Sequence, residues 1–513
     1  MKKYILFIFV LGAFFSCVKD DSEYGDKQLF IHISGLAESY NITSFSNKPF
    51  TANPTVETSF DNNDLEYKWT YFSPQNTGHI VDGEYQELTA TKIADTPNIS
   101  YPVTLADGTY FFVFTVTSKS TGYSQSMKTS VHVASALSKG FIILKENGDG
   151  NTDYDVYNTD RNELIENVIK TAQGQSLSGK PRAIDVNYGK EYINRENNQI
   201  EKANMLCITT ESNKTAWVRA MDGKTVINNS NCFYEPIQQL TSYRSFSGMF
   251  TSFYITSNGI YGAGHGGFNG GSGVFGAMSG NGGSTHVISI PSLFGGLLFW
   301  NEQQHAIQFT DYNNANHAIE STVLGHTATF SDYDCLSCGV SLAGGETIFF
   351  LLQHKEEADK KLICYIECPN RTPTLAKVTP LDASTHFAKA TCRAVNANFA
   401  TMAYGVDNNK VYTYDLVGSN PEKELSFNGL PANEQIVYLS NRYLKADDGF
   451  DYLMVGTQNA NTYKVYMYKM IGGEPTGEAQ QIIQGEGKIK GMDYLTPTVD
   501  PDNAYQIAPI LDH

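Results

Sequence analysis

The chain has 513 residues, too many for one hydrophobic core, so two or more domains are expected. Charged residues are sparse at 18%, aromatics reach 12% and there are 44 glycines, a mixture that points to strands and tight turns rather than helices. A formal net charge of −17 argues against nucleic acid and against anionic surfaces as partners.

The N-terminus opens with Lys2 and Lys3, followed by an apolar run from Tyr4 to Phe15 and then Ser16 and Cys17. That run suits a secretory signal but is shorter than the roughly twenty residues a membrane-spanning helix needs. A small residue followed at once by cysteine resembles the lipobox of bacterial lipoproteins, although Phe14 and Phe15 depart from its usual Leu and small residue. The resemblance implies that Cys17 is acylated and becomes the mature N-terminus. Lys19, Asp20 and Asp21 resemble the export signal of surface lipoproteins in Bacteroidetes. The expected location is therefore the outer face of the outer membrane, with attachment by acyl chains alone. Residues 1–17 are read as signal and lipidation site, and 18–26 as export signal and linker.

Residues 27–135 read as an Ig-like β-sandwich. Leu65, Tyr67, Trp69 and Tyr71 alternate along one strand, and Tyr110, Phe112, Phe114 and Val116 along another, which a hairpin through Ser118 to Gly122 joins to a last strand. These alternating aromatics are expected to be core. The run Gly108-Thr109-Tyr110-x-Phe112-x-Phe114-x-Val116 resembles the signature of PKD domains. With the N-terminal cysteine and the later Gly140-Phe141-Ile142-Ile143-Leu144, the layout is similar to the PKD-like family lipoproteins of Bacteroidetes. That resemblance implies a setting beside SusC/SusD-type importers and, weakly, peptide ligands.

From 140 to 513 the chain repeats a short apolar strand, a polar turn and a second strand. Seven such pairs begin near 140, 204, 252, 296, 346, 398 and 451. A period of about 50 residues is that of propeller blades. The fold expected is all-β, a sandwich followed by a β-propeller of seven blades, with six or eight as alternatives. The weaker runs near 183, 286 and 339 supply outlying strands, and GKIKGMDYL near 490 supplies a strand closing the ring. One helix is expected, since Leu164, Ile165, Val168 and Ile169 form an amphipathic stripe.

Twelve glycines lie between Gly259 and Gly283. The formal GxGxxG at Gly262, Gly264 and Gly267 lacks a following helix and so is not a nucleotide fingerprint. The stretch reads as a flexible loop, or as a flap over a binding face to which Phe268, Phe275 and Met278 contribute contacts. Cys335 and Cys338 have zinc-ligand spacing, but Cys364 and Cys368 fall in a strand that separates them by about 13 Å, too far for one tetrahedral ion. A Cys335–Cys338 disulfide or free thiols remain. Asn147, Asp149, Asn151, Asp153 and Asp155 alternate in a turn but lack the glycine and glutamate of a calcium loop, so an acidic hairpin is expected.

No GxSxG elbow or HExxH pair is present. No catalytic, metal or cofactor residues are assigned. The function expected is a non-enzymatic surface lipoprotein, capturing a nutrient or serving as an accessory subunit of a SusC/SusD-like TonB-dependent importer among other surface lipoproteins. Oligopeptides are the leading ligand and glycans the second. A glycan-binding surface protein, and a propeller hydrolase or lyase whose two carboxylates come from different blades, are the alternatives. A purely structural partner is a third.

Overall fold

Almost every alternating apolar run pairs into an antiparallel ladder. The computed structural model describes residues 29–496, apart from 47, 73–78, 82–83, 87–89, 196–197, 238–239, 249, 265–271, 277, 291–295, 342–346, 399–400, 419 and 445–448. The chain divides into two compact units. The first takes the residues up to 42 together with 49–101 and 108–133; the second takes 43–48, 102–107 and the chain from 134 onward.

The first unit is built on a five-stranded sheet in the order Ser39–Ser44, Ser124–Ser135, Gly108–Ser118, Leu65–Phe72, Thr91–Ala94. Three strand pairs accompany it, Ile31–Ser34 with Thr55–Thr58, Phe50–Ala52 with Ile99–Tyr101, and His79–Val81 with Glu84–Gln86. The period-two aromatics face inward: Trp69, Phe112, Phe114 and Val116 are fully buried. Trp69 lies 4.7 Å from Phe114, and Phe50 lies 5.0 Å edge-on to Phe112. The Trp69 indole N–H donates to the Thr96 carbonyl at 3.1 Å, so its one polar atom is satisfied.

The second unit contains seven successive sheets among the described residues. Six of the seven strand pairs read from the sequence are the middle of a sheet, as with Gly140–Glu146 and Thr152–Asn158 in the first and Phe450–Asn459 and Thr462–Ile471 in the seventh; in the three-stranded sixth, Met402–Asp407 is the middle and Lys410–Asp415 the edge. The weaker runs are innermost strands: Pro181–Asn194, Val287–Ile290 and Tyr333–Ser341 head the second, fourth and fifth sheets. Apolar clusters lie between each sheet and the next, and the seventh packs on the first through Phe141, Ile143, Met454, Val465 and Met492. The unit is a β-propeller.

Its ring is tied by the last strand. Lys488–Leu495 pairs with Gly140–Glu146, matching Gly140 with Leu495 and Ile142 with Asp493, so the first sheet takes its innermost strand from the end of the chain. Gly140 is required there. Its φ is +136°, and a Cβ would stand 2.0 Å from the Tyr157 carbonyl oxygen.

The expected helix is shorter than its stripe. Glu163–Ile165 is the outermost strand of the first sheet, and only Val168–Gln173 is helical. Leu164 and Ile165 satisfy the helical period, but pairing with Thr152–Asn158 uses them as strand residues. Asn167 at φ +53° then turns the chain. The Asp153 carboxylate accepts the N–H groups of Ile169 and Lys170 at 2.9 and 3.2 Å.

Asp155, fully buried, fixes the seam between first and seventh sheets. Its Oδ1 lies 2.7 Å from Lys145 Nζ, and the Tyr463 hydroxyl donates to its Oδ2 at 2.6 Å. Burial raises its carboxyl to about 6 even though Lys145 pulls the other way. The folded group therefore takes up a proton near pH 6 and the unfolded one near 4, so its contribution to stability falls as pH rises through that window. Lys145→Met removes the compensating charge and should destabilise the fold by about 3–5 kcal/mol at pH 7.5. The loss should be smaller at pH 5, where Asp155 can be neutral. Thermal unfolding of both proteins at the two pH values measures it, and an equal loss at both would contradict the assignment.

Candidate binding site at the channel mouth

Five of the seven innermost strands carry one extra residue near their beginning. The ladder skips Arg182 between Pro181 and Ala183, Tyr243 between Ser242 and Arg244, and Leu336 between Cys335 and Ser337. It likewise skips Val437 between Ile436 and Tyr438, and Lys490 between Ile489 and Gly491. A bulge releases a residue from strict alternation and re-aims its side chain. Three of these released residues, Arg182, Leu336 and Lys490, line one cavity of about 270 Å³. Ala183, Ile184, Arg244, Thr285, His286 and Gly491 complete it. The cavity thus sits where the innermost strands begin, at one mouth of the channel.

Its charges are held differently. Arg244 is buried, and its Nε and Nη2 both donate to Asp185 Oδ1, at 3.0 and 2.6 Å. Arg182 donates to the carbonyls of Ser242 and Glu211 at 3.2 and 3.5 Å, and its guanidinium lies 5.4 Å from the Tyr243 ring centroid. Behind it the Tyr243 hydroxyl donates to Glu302 Oε2 at 2.9 Å. Burial, and then Glu302, push that phenol up to about 12. His286 is pushed down to about 4, by burial first and by Arg244 in addition, so it is neutral at pH 7. Its Nε2 donates to the Leu336 carbonyl at 3.2 Å. Lys490 is exposed and makes no ion pair among the described residues. Among the described residues the cavity wall holds two arginines and a lysine but no carboxylate.

The buried groups below this mouth join neighbouring sheets. Arg442 of the seventh sheet reaches the Met492 carbonyl and lies 3.5 Å from Asp493 Oδ1 in the first. Asp493 Oδ2 accepts the Val186 N–H of the second at 2.8 Å, and Asp185 carries the connection to Arg244 and the Ser245 N–H of the third. Burial raises the Asp493 carboxyl to about 6, against the pull of Arg442.

Sequence reasoning located none of these residues, because they share no motif and Arg182 and Lys490 lie at opposite ends of the propeller sequence. Of the residues it did single out, Cys17, Lys19, Asp20, Asp21 and Phe268 lie outside the described residues. Phe275 is packed in the core and not presented on a loop surface. It is 1% exposed, with ring centroids 5.6 Å from Trp217 and 5.4 Å from Tyr254, and its N–H donates to the Cys232 carbonyl at 2.8 Å. Met278 is exposed on Met278–Asn281, the outermost strand of the third sheet, and does not line the channel-mouth cavity.

The glycine-rich stretch is therefore only partly loop. Gly259–Gly264 and Met278–Asn281 are two strands of the third sheet, and glycines let other chain segments come close. At Gly273, with φ +72°, a Cβ would stand 1.7 Å from the Glu191 carbonyl oxygen. Cys335, Cys338 and Cys364 are buried free thiols in the core of the fifth sheet, and Cys368 packs partly buried against the same core. Burial raises all three buried thiols, so they stay protonated. In the acidic hairpin Asn147 closes the turn by accepting the N–H groups of Asp149 and Asn151, both at 3.0 Å. No group of three or more His, Cys, Asp or Glu that could hold a metal ion occurs among the described residues.

Residues 20–181 match the model of the PKD-like family. The match covers the first unit and the opening of the propeller. No curated protein matches the chain. Among solved structures, a quinonprotein alcohol dehydrogenase-like protein from Bacteroides thetaiotaomicron aligns at 12% identity over 90% of this chain and 97% of its own, with a TM-score of 0.48. BamB from Moraxella catarrhalis aligns at 12% identity over 66% and 85%, with a TM-score of 0.28. The WD40 domain of SCAP from fission yeast aligns at 9% identity over 73% and 74%, with a TM-score of 0.26. All three scores are below 0.5, and the propeller assignment rests on the sheet order of this chain.

Phe275→Ala should cost about 3–5 kcal/mol, as truncation of a packed aromatic does, whereas Met278→Ala should stay within about 0.5 kcal/mol. Denaturant unfolding of the two variants separates them. Equal, small effects would return Phe275 to the surface.

Proposed function

We propose that this protein is a lipid-anchored lipoprotein of the outer-membrane surface. It captures a nutrient, or docks as an accessory subunit, beside a SusC/SusD-like importer, and it does so without catalysing a reaction. The observation that carries binding over catalysis is the channel mouth. Hydrolysis of a glycosidic bond takes two carboxylates facing one another, and the wall of this cavity offers cations, a neutral imidazole and a hydroxyl instead. A propeller also suits capture physically, because loops and strand ends from several sheets converge on one face and can vary without disturbing the core.

Location rests on the residues around Cys17. The PKD-like match begins at residue 20, three residues after that cysteine, which supports a sandwich that follows the anchor in sequence. Oligopeptides are the favoured ligand class, with glycans second.

Cys17→Ala should release the protein from membranes into the soluble fraction. Replacing Lys19, Asp20 and Asp21 together by alanine should leave it acylated but shielded from protease added to intact cells. Copurification of the unaltered protein with a TonB-dependent transporter from native membranes is the expected sign of the accessory role. Persistence of the Cys17 variant in membranes would refute the anchor, and recovery only as a free monomer would refute the association.

A further inference from the structure

We infer that the channel-mouth cavity is the ligand site and that it recognises a singly charged carboxylate, held by Lys490 and Arg182; the inference rests on the capture reading above. Two independent features point there. The first is the bulges, which take these two cations out of the ladders of two different sheets and bring both to one wall. The second is the balance of charge. Arg244 is neutralised by Asp185 at 2.6 Å, and the imidazole of His286 carries no charge at neutral pH. Lys490 and Arg182 therefore supply the available positive charge of the wall, with Glu302 behind Tyr243 offsetting part of that of Arg182, in a chain whose formal net charge is −17.

The chemistry of the wall selects among anions. Arg182 spends part of its fork on two carbonyls and keeps a planar face against Tyr243, and Lys490 is a flexible point charge. That pair fits one carboxylate. A phosphate dianion is better served by a helix N-terminus or a nest of backbone N–H groups, and among the described residues the wall is made of strand residues and the Thr285–His286 segment, with no helix. Thr285 adds a hydroxyl to the lining for the rest of the ligand. At about 270 Å³ the cavity lies near the lower end of ligand pockets, the size for a terminal group rather than a long chain. A peptide C-terminus and a uronic acid present the same group.

Calorimetry with the full-length soluble Cys17→Ala protein tests this with matched probes. One pair is tetra-alanine with a free C-terminus and its C-terminal amide; the other is trigalacturonate and neutral galactotriose. Binding of a free-acid probe at least tenfold tighter than its neutral twin is expected, and which pair shows it identifies peptide or glycan as the source. Lys490→Gln and Arg182→Gln should each weaken that binding about tenfold, with unaltered thermal unfolding, and raising salt should weaken it further. Neutral twins that bind as well, unaffected by either substitution, would overturn the carboxylate assignment while leaving capture intact. Inorganic phosphate that displaces a bound probe more effectively than acetate would also overturn it. Silence from every probe would remove the capture reading and this one with it.

Discussion

Everything in the second unit depends on one antiparallel pairing, between the strand that opens the propeller and the strand that ends it. A ring of sheets has no stable open form, because the first sheet would lose its innermost ladder and the seventh would lose the apolar face it packs against. Lys488–Leu495 supplies both, through main-chain pairing with Gly140–Glu146 and through Ile489 and Met492 in the apolar seam. Residues more than 340 positions apart in sequence must meet before either end is satisfied, as the Lys488–Glu146 ion pair shows. Such non-local closure is slow to form but leaves few exposed sheet edges.

Buried charge gives that closure its register. Asp493, Arg442, Asp185 and Arg244 connect four consecutive sheets around the channel, and Asp155 with Lys145 and Tyr463 does the same at the seam. Pairs of this kind add little net stability, since desolvation offsets their attraction. What they penalise is error, because a shift of one residue would leave an unpaired charge in the interior. The strand that closes the ring also delivers Lys490 to the channel mouth, three residues before Asp493. Structural closure and the proposed site are therefore one piece of chain.

Much of the chemistry suggested by residue type is absorbed by packing. Among the described glycines of the Gly-rich stretch, Gly273 permits close approach of the chain to Glu191, and Phe275 beside it is a core aromatic. Cysteines with metal-ligand spacing are protonated core thiols. Alternating acids that resemble an ion loop are a turn, a helix cap and a seam ion pair. In each case burial decides, and burial is a property of the folded neighbours.

The sequence by itself determined the all-β class, the sandwich with Trp69, Phe112 and Phe114 at its core, the seven central strand pairs and the closing strand near 490. These are legible because a period of two and a repeat near 50 residues are local signals, repeated often enough to outweigh noise. The helix stripe at Leu164 and Ile165 misled because a short apolar run fits both periods, and pairing with Thr152–Asn158 settled it as strand. Only the tertiary structure decided where Arg182, Arg244, His286 and Lys490 stand. Their convergence depends on strand bulges and on the closing of a ring, and neither leaves a pattern within any one stretch of chain.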